Sequence, residues 1–228
     1  MSFELWLFAV KQLAQTYEVS CSIFEQLSPA EKKRLRAEYT AETGIALPDD
    51  TPTEVKEERI DLRQYDPMRM TESMRCEKLC FQINHTMPDT EEYNALIREL
   101  FGSSIGEGSV IRSPIYVNLA DHIQIGKNVS IMNDFKCMSA GGITIEDNVQ
   151  ISYNCTIATN AHDFRERQII VCKPVVIKRN ALIGVNVTIL PGVTIGANAV
   201  IGAGAVVTHD VPDNGMAVGV PAKVIKIL

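Results

Sequence analysis

The chain has no apolar run approaching the ~20 residues a membrane-spanning helix needs, and no basic run among its 22 Lys and Arg against 28 Asp and Glu. The net charge of −6 argues against a nucleic-acid partner, and the lack of a span argues against a membrane one. The stretch from Phe3 to Val10 is apolar but carries Glu4 and lacks a basic start, so it reads poorly as a signal peptide. The six cysteines, at 21, 76, 80, 137, 155 and 172, show no paired metal spacing. Cys76 and Cys80, four apart, share a helix face and are expected to pack, and the thiols are expected to be reduced in a cytoplasmic protein. There is no glycine-rich phosphate loop of the nucleotide-binding kind. Only four histidines occur, with no His-x4-His pair, and no metal requirement follows.

What is present is a period of six. Ile177, Ile183, Ile189, Ile195 and Ile201 fall at six-residue intervals, and Ala181, Val187, Val193, Ala199 and Ala205 follow each at a four-residue offset. Gly184, Gly196 and Gly202 come directly after three of the isoleucines, where they are expected to permit unusual backbone angles. Helices repeat at 3.6 residues and strands at two, so neither explains the spacing. A mainly β solenoid does, with each repeat a short strand and a turn stacked on its neighbours. Upstream, Ile145, Ile151 and Ile157 keep the period, with Val149, Cys155 and Ala161 at the offset. Ile125, Ile131, Cys137 and Ile143 keep it in another phase, and Ile105, Ile111, Val117 and Ile123 form a first coil. Slips near residues 124 and 144 require turns of altered length. The large interruption, residues 163–174, is charged, and a loop leaving a regular solenoid is usually functional.

Ahead of the repeat, residues 2–16 have helical spacing. A second helix starts after Ser28 with Pro29 at its first position and Glu31 completing a capping box, and it stops at Gly44. Residues 47–53 read as a linker. Two further helices are expected, Thr71 to Asn84 with Met74, Leu79, Cys80 and Ile83 apolar, and Thr90 to Phe101 capped by Asp89 or Thr90. At the other end, Val224, Ile225, Ile227 and Leu228 are expected to cap the open coil. The domain reading is 1–62, an N-terminal helical extension of unassigned role; 63–103, a helical preface; and 104–228, the solenoid.

Three stretches go further than the period. They are Met74-Arg75-Cys76-Glu77-Lys78-Leu79-Cys80-Phe81-Gln82-Ile83-Asn84-His85-Thr86, then Ile157-Ala158-Thr159-Asn160-Ala161-His162-Asp163, and Ile201 to Thr208 with Gly219-Val220-Pro221-Ala222-Lys223. Over residues 66–228 the chain resembles the left-handed parallel β-helix acyltransferases of the hexapeptide-repeat superfamily, and within them the maltose and galactoside O-acetyltransferases. The resemblance implies transfer of an acetyl group from acetyl-CoA, as co-substrate, to a hydroxyl of a sugar or similar small molecule, without an acyl-enzyme. It implies a homotrimer with sites between subunits.

His162 matches the histidine that deprotonates the acceptor, a step suited to an imidazole, which titrates near neutrality. Ala203, Gly204 and Thr208 match the pantetheine-contacting coil, and Lys223 a basic position near the nucleotide. Asp66 sits where the family places an acceptor-binding aspartate. The family's asparagine in the preceding coil, and its aspartate seven residues on, fall on Met132 and Ser139, while the adjacent Asn133 and Asp134 could substitute after a one-residue shift. A family tryptophan is Leu182 here, a serine Val185, and a lysine near the phosphates His209. His85 reads as structural and His122 as solvated. Three other readings stand beside the leading one. An antibiotic or amine acceptor is disfavoured by the helical preface. A carbonic-anhydrase-like metal enzyme would need three converging histidines. A scaffold that kept the solenoid and lost turnover is motivated by Met132 and Ser139.

Overall fold

In the computed structural model, residues 29–43 and 57–228 are described, and they fall in two compact units divided near residue 54. The expected helix at 2–16, Ser28 with its capping role, Gly44 and the 47–53 linker lie outside the described residues. The first unit shows α1 (Pro29–Thr43), beginning at the expected proline. Leu35 and Tyr39, one helical turn apart, are buried.

The second unit opens with a short strand, β1 (Glu58–Asp61), followed by α2 (Pro67–His85) and α3 (Glu91–Phe101). Helix α2 starts a turn earlier than its apolar spacing suggests, because Asp66 caps it by accepting from the backbone N–H groups of Met68 and Arg69, with Pro67 at the first position. Thr90, not Asp89, caps α3 through the N–H of Tyr93. Cys76, Leu79, Cys80 and Ile83 form the buried face of α2, whereas Met74, expected there, is exposed. Asn84 ties α2 to the first coil, its amide donating to Ile115 O and accepting from Ile115 N.

The rest is a three-faced parallel solenoid of about five coils. The first coil carries β2 (Val110–Ile111) and β3 (Ile115–Val117), and the second β4 (Ile123–Ile125), β5 (Ser130–Ile131) and β6 (Phe135–Met138). The third carries β7 (Ile143–Ile145), β8 (Gln150–Ile151) and β9 (Thr156–Ala158), then leaves the coil as a hairpin of β10 (Asn160–His162) and β11 (Ile169–Cys172). The fourth has β12 (Val175–Ile177), β13 (Leu182–Ile183) and β14 (Thr188–Ile189), and the fifth β15 (Thr194–Ile195), β16 (Val200–Ile201) and β17 (Val206–Val207). The chain ends in β18 (Gly215–Val218) and β19 (Lys223–Ile227). The first face is β4, β7, β12 and β15; the second is β2, β5, β8, β13, β16 and β18; the third is β3, β6, β9, β14 and β17.

The isoleucine ladders stack in register, Ile131 on Ile151, Ile151 on Ile183 and Ile183 on Ile201. The small residues at the four-residue offset are buried at the corners: Val149, Ala181, Val187, Ala199 and Ala205 are all at most 1% exposed. Ala161 departs from this pattern. It is exposed, because the chain has already left the coil at β10, so the excursion starts before residue 163. The phase slips near 124 and 144 fall inside β4 and β7, and the turns that cause them lie just before, at 118–122 and 138–142. Ile125 pairs with Ile145 whereas Ile177 pairs with Ile195, so the early coils carry two residues more than a turn of three sixes. Because both ends of β4 and of β7 point inward, the two phases read in the sequence belong to one strand each.

The corner residues hold a correction. None of Gly184, Gly196 and Gly202 has positive φ; a Cβ on Gly184 would lie 2.7 Å from Ala203 N and Ile201 O, so glycine is required there by close stacking. The left-handed seats belong mostly to asparagines. Asn128, Asn148, Asn180, Asn198 and Asn214 line the corner between the first and second faces, and Asp134, Asn154 and Asn186 the corner between the second and third. Asn and Asp tolerate this conformation because their short polar side chains hydrogen-bond locally. Here they bond up the corner, Asn154 to Asn186 at 2.8 Å and Asn198 to Asn214 at 3.0 Å. The C-terminal apolar residues do not plug the open coil. β19 pairs antiparallel with β18 along the sheet edge, leaving Val224, Ile225, Ile227 and Leu228 exposed.

Candidate active site

The third corner, where the third face gives way to the first, carries the lengthened turns and the hairpin excursion. Coils one and two are lengthened there, at residues 118–122 and 138–142, and coil three leaves it as the β10–β11 hairpin. Ser139 and Thr159 hold the stacked turns together. Ser139 is fully buried, its hydroxyl donating to Leu119 O at 2.7 Å and its N–H bonding Asn118. Thr159 donates to Met138 O and accepts from Gly141 N.

The hairpin is extended into a three-stranded antiparallel sheet by β1, which lies against β11. Ile60 from β1 joins Leu119, Ala140, Ile170 and Cys172 in a small apolar cluster beneath it. Ion pairs hold the outer surface: Arg59 Nη2 to Asp163 Oδ2 at 2.6 Å, Arg63 to Glu166 at 2.8 Å and Lys173 to Glu57 at 3.2 Å.

His162 ends β10 with its ring exposed. Its Nδ1 lies 2.6 Å from the carbonyl oxygen of Arg167. A carbonyl can only accept, so Nδ1 carries the proton of the neutral ring and Nε2 is left with its lone pair as the acceptor. The carbonyl is held by a tight turn. Asp163 Oδ1 accepts from Arg165 N at 2.8 Å and Glu166 N at 3.0 Å, Ile169 N donates to Glu166 O, and Asp163 N donates to Ile169 O. The Arg59 guanidinium and these two amides pull the Asp163 carboxyl down to about 2.

The other candidates are distributed unevenly. Met132, Asn133 and Asp134 occupy the corner between the second and third faces, a full face away from His162. Asn133 donates to Ser113 O, and Asp134 fills a left-handed seat of the asparagine series. Asp66 spends one carboxylate oxygen on capping α2 and faces Arg69 with the other, its side chain 51% exposed. Ala203 and Gly204 form an exposed turn of the fifth coil on the same corner as Asp134, while Thr208 follows β17 and Lys223 opens β19, exposed. His209 is exposed and bonds Thr208 through Nδ1. His85 stacks on Phe81 and bonds Phe81 O.

His122 is half-buried rather than solvated. It bonds Ala140 O and lines a cavity of about 570 Å³ with Glu57, Glu58, Gly141, Gly142, Cys172 and Pro174. Burial pushes the Cys76 thiol up to about 12 and raises Cys80, Cys137, Cys155 and Cys172, which removes their nucleophilic thiolate at neutral pH. All five are free. The sequence singles out His162 as a candidate but gives no hint of the Arg59–Asp163 pair; for β1 the alternation of Arg59 and Asp61 with Ile60 is the one signal, over four residues.

A family model described as bacterial transferase hexapeptide (six repeats) matches residues 174–209, and one described as the maltose acetyltransferase hexapeptide capping motif matches residues 63–106. Galactoside O-acetyltransferase of Escherichia coli (strain K12) is 37% identical over 158 residues, 67% of this chain and 77% of that protein. A hexapeptide-repeat acetyltransferase from Vibrio cholerae O1 biovar eltor, complexed with acetyl coenzyme A, superposes with TM-score 0.68 at 34% identity, covering 72% of this chain and 93% of that one. A galactoside acetyltransferase in complex with coenzyme A gives TM-score 0.68 at 34% identity, covering 72% and 84%.

Proposed function

As the chain belongs to the hexapeptide-repeat, left-handed β-helix acetyltransferases of the galactoside and maltose O-acetyltransferase group, we propose that it acetylates a hydroxyl of a sugar or similar small molecule, with acetyl-CoA as donor and His162 as general base. The observation that carries this is the Nδ1 bond of the exposed His162 to Arg167 O, which leaves Nε2 as the acceptor nitrogen. The acceptor hydroxyl gives its proton to Nε2 as its oxygen forms a bond to the thioester carbonyl carbon. The tetrahedral intermediate then breaks its C–S bond, and the imidazolium returns the proton to the departing CoA thiolate. No residue is acylated.

Acetyl-CoA is proposed to lie along the fifth coil, its pantetheine against the backbone of Ala203 and Gly204 and against Thr208, with Lys223 toward the phosphates. Asp66, Met132, Asn133 and Asp134 are proposed to line the acceptor. Ser139 is proposed to act by holding the edge, since its hydroxyl is spent on Leu119 O. The protein is proposed to be a cytoplasmic homotrimer. Five free, buried thiols agree with a reducing compartment, and among the described residues no helix is long and apolar enough to cross a membrane.

The test is thiol release from acetyl-CoA over a panel of sugars, with His162→Ala alongside. Acceptor-dependent release falling by ~10²–10⁴ in the variant is the expected result. Undiminished release in the variant would remove His162 as the base, and release with amines but no hydroxyl compound would change the acceptor class.

A further inference from the structure

The side chain after His162 does more than start a loop. Asp163 uses one carboxylate oxygen to fold the turn that carries Arg167, and the other to reach Arg59 on a strand 104 positions earlier in the chain. That turn presents the Arg167 carbonyl, which accepts the hydrogen bond from His162 Nδ1–H. Strand β1 adds backbone support, with Ile60 opposite Ile170, Arg59 opposite Val171 and Leu62 N donating to Gln168 O at 2.8 Å. Arg63 pairs with Glu166 in the same turn.

We propose that Asp163, anchored by Arg59, is a positioning residue that fixes the tautomer and direction of the His162 ring, so that β1 acts as the latch of the catalytic hairpin. The inference rests on His162 being the base. Its mechanism is geometric. A free imidazole exchanges its proton between the two nitrogens, and only the Nδ1–H form offers Nε2 to an acceptor hydroxyl. A carbonyl held at 2.6 Å from Nδ1 selects that form. If the turn loosens, the carbonyl moves and the selection is lost, although His162 itself is intact. The two halves of the Asp163 carboxylate separate these roles. Asp163→Asn keeps an oxygen for the two turn amides but loses the charge for Arg59; Arg59→Gln loses the latch from the other side; Asp163→Ala loses both.

The experiment combines steady-state kinetics with imidazole nitrogen NMR on histidine-labelled protein, the His162 signals being assigned by their absence in His162→Gln. The wild type is expected to show Nδ1–H at His162. In Asp163→Ala the signals should move toward Nε2–H, with kcat falling about 10-fold or more and KM for acetyl-CoA little changed, by loss of base positioning. Asp163→Asn and Arg59→Gln should match one another and fall between, and their double variant should lose no more than either alone. Arg59 is exposed, so its variant tests the latch with the core intact. Wild-type tautomer and kcat in both Asp163→Ala and Arg59→Gln would overturn the proposal, as would an Nε2–H ring in the wild type. Should His162→Gln keep full activity, the base assignment fails by itself, and the latch is then judged by the tautomer signals alone.

Discussion

Glu72 accepts twice from the Arg75 guanidinium at 2.7 Å, and also from the Cys76 thiol and the Asp121 backbone N–H, joining α2 to the first long corner turn. Arg75 passes the link on by donating to Glu99 O and Leu100 O at the end of α3. The Arg75 hydrogen bonds hold the Glu72 carboxyl down at about 2. A carboxylate with a lowered folded pKa adds stability above its unfolded value of ~4.3, and that contribution is lost as pH falls toward the folded value. Glu72→Gln should therefore cost ~1–2 kcal/mol at pH ~7 and have a flatter stability profile in acid than the wild type. Denaturant melts of both proteins at neutral and acid pH check it; parallel profiles would dissociate Glu72 from the acid sensitivity. At this scale legibility was divided. His162 could be singled out as a candidate because it follows the Ile145, Ile151, Ile157 period and a recognisable motif. Asp163 with Arg59, and Glu72 with Asp121, could not, because no periodicity connects residues brought together by the closing of a distant corner.

The coils are defined as much by their corners as by their strands. The six-residue isoleucine spacing identified the buried ladders, since every ladder position must be apolar to stack. It said less about which corner absorbs extra chain, because a turn of two additional residues leaves the ladders on either side unchanged. It also treated the glycines after the isoleucines as conformational, when they are steric. Two substitutions separate the two kinds of corner. Asn154→Ala places a non-glycine, non-asparagine residue at φ 56° and removes the bond to Asn186, so a loss of ~1–2 kcal/mol is expected, with Asn154→Gly milder. Gly184→Ala puts its methyl against the backbone of the next coil, which cannot move as a side chain can. It should cost ~1–3 kcal/mol, as overpacking does, even though alanine fits its φ. Thermal melts that rank Asn154→Ala below Asn154→Gly, with Gly184→Ala also destabilised, would bear out the distinction; a neutral Gly184→Ala would show that the coils can separate there.

In one copy of the molecule, the corner bearing Met132, Asn133 and Asp134 and the corner bearing His162 bracket the third face, so a full face of the solenoid separates the proposed acceptor residues from the proposed base. A small acceptor cannot span that. If both groups serve one reaction, the His162 edge of one copy must meet the Asn133 corner of another. A closed ring of identical solenoids does this at every interface, because a head-to-tail contact presents two different patches. This gives the proposed trimer, with the between-subunit sites that the resemblance implies, a functional reason that residue spacing alone does not supply: residues 28 to 30 apart in the chain reveal nothing of which corner they occupy until the coil length is known. The consequence is complementation. His162→Ala and Asn133→Ala chains should each be inactive alone, and co-expressed they should recover activity, since about a quarter of randomly assembled interfaces pair an intact His162 edge with an intact Asn133 corner. Recovery in the co-expressed sample, lost when the two proteins are purified apart and mixed without subunit exchange, would establish a site built from two copies. Two inactive variants that never complement would put the whole site within one chain, and an active Asn133→Ala would take that corner out of the chemistry.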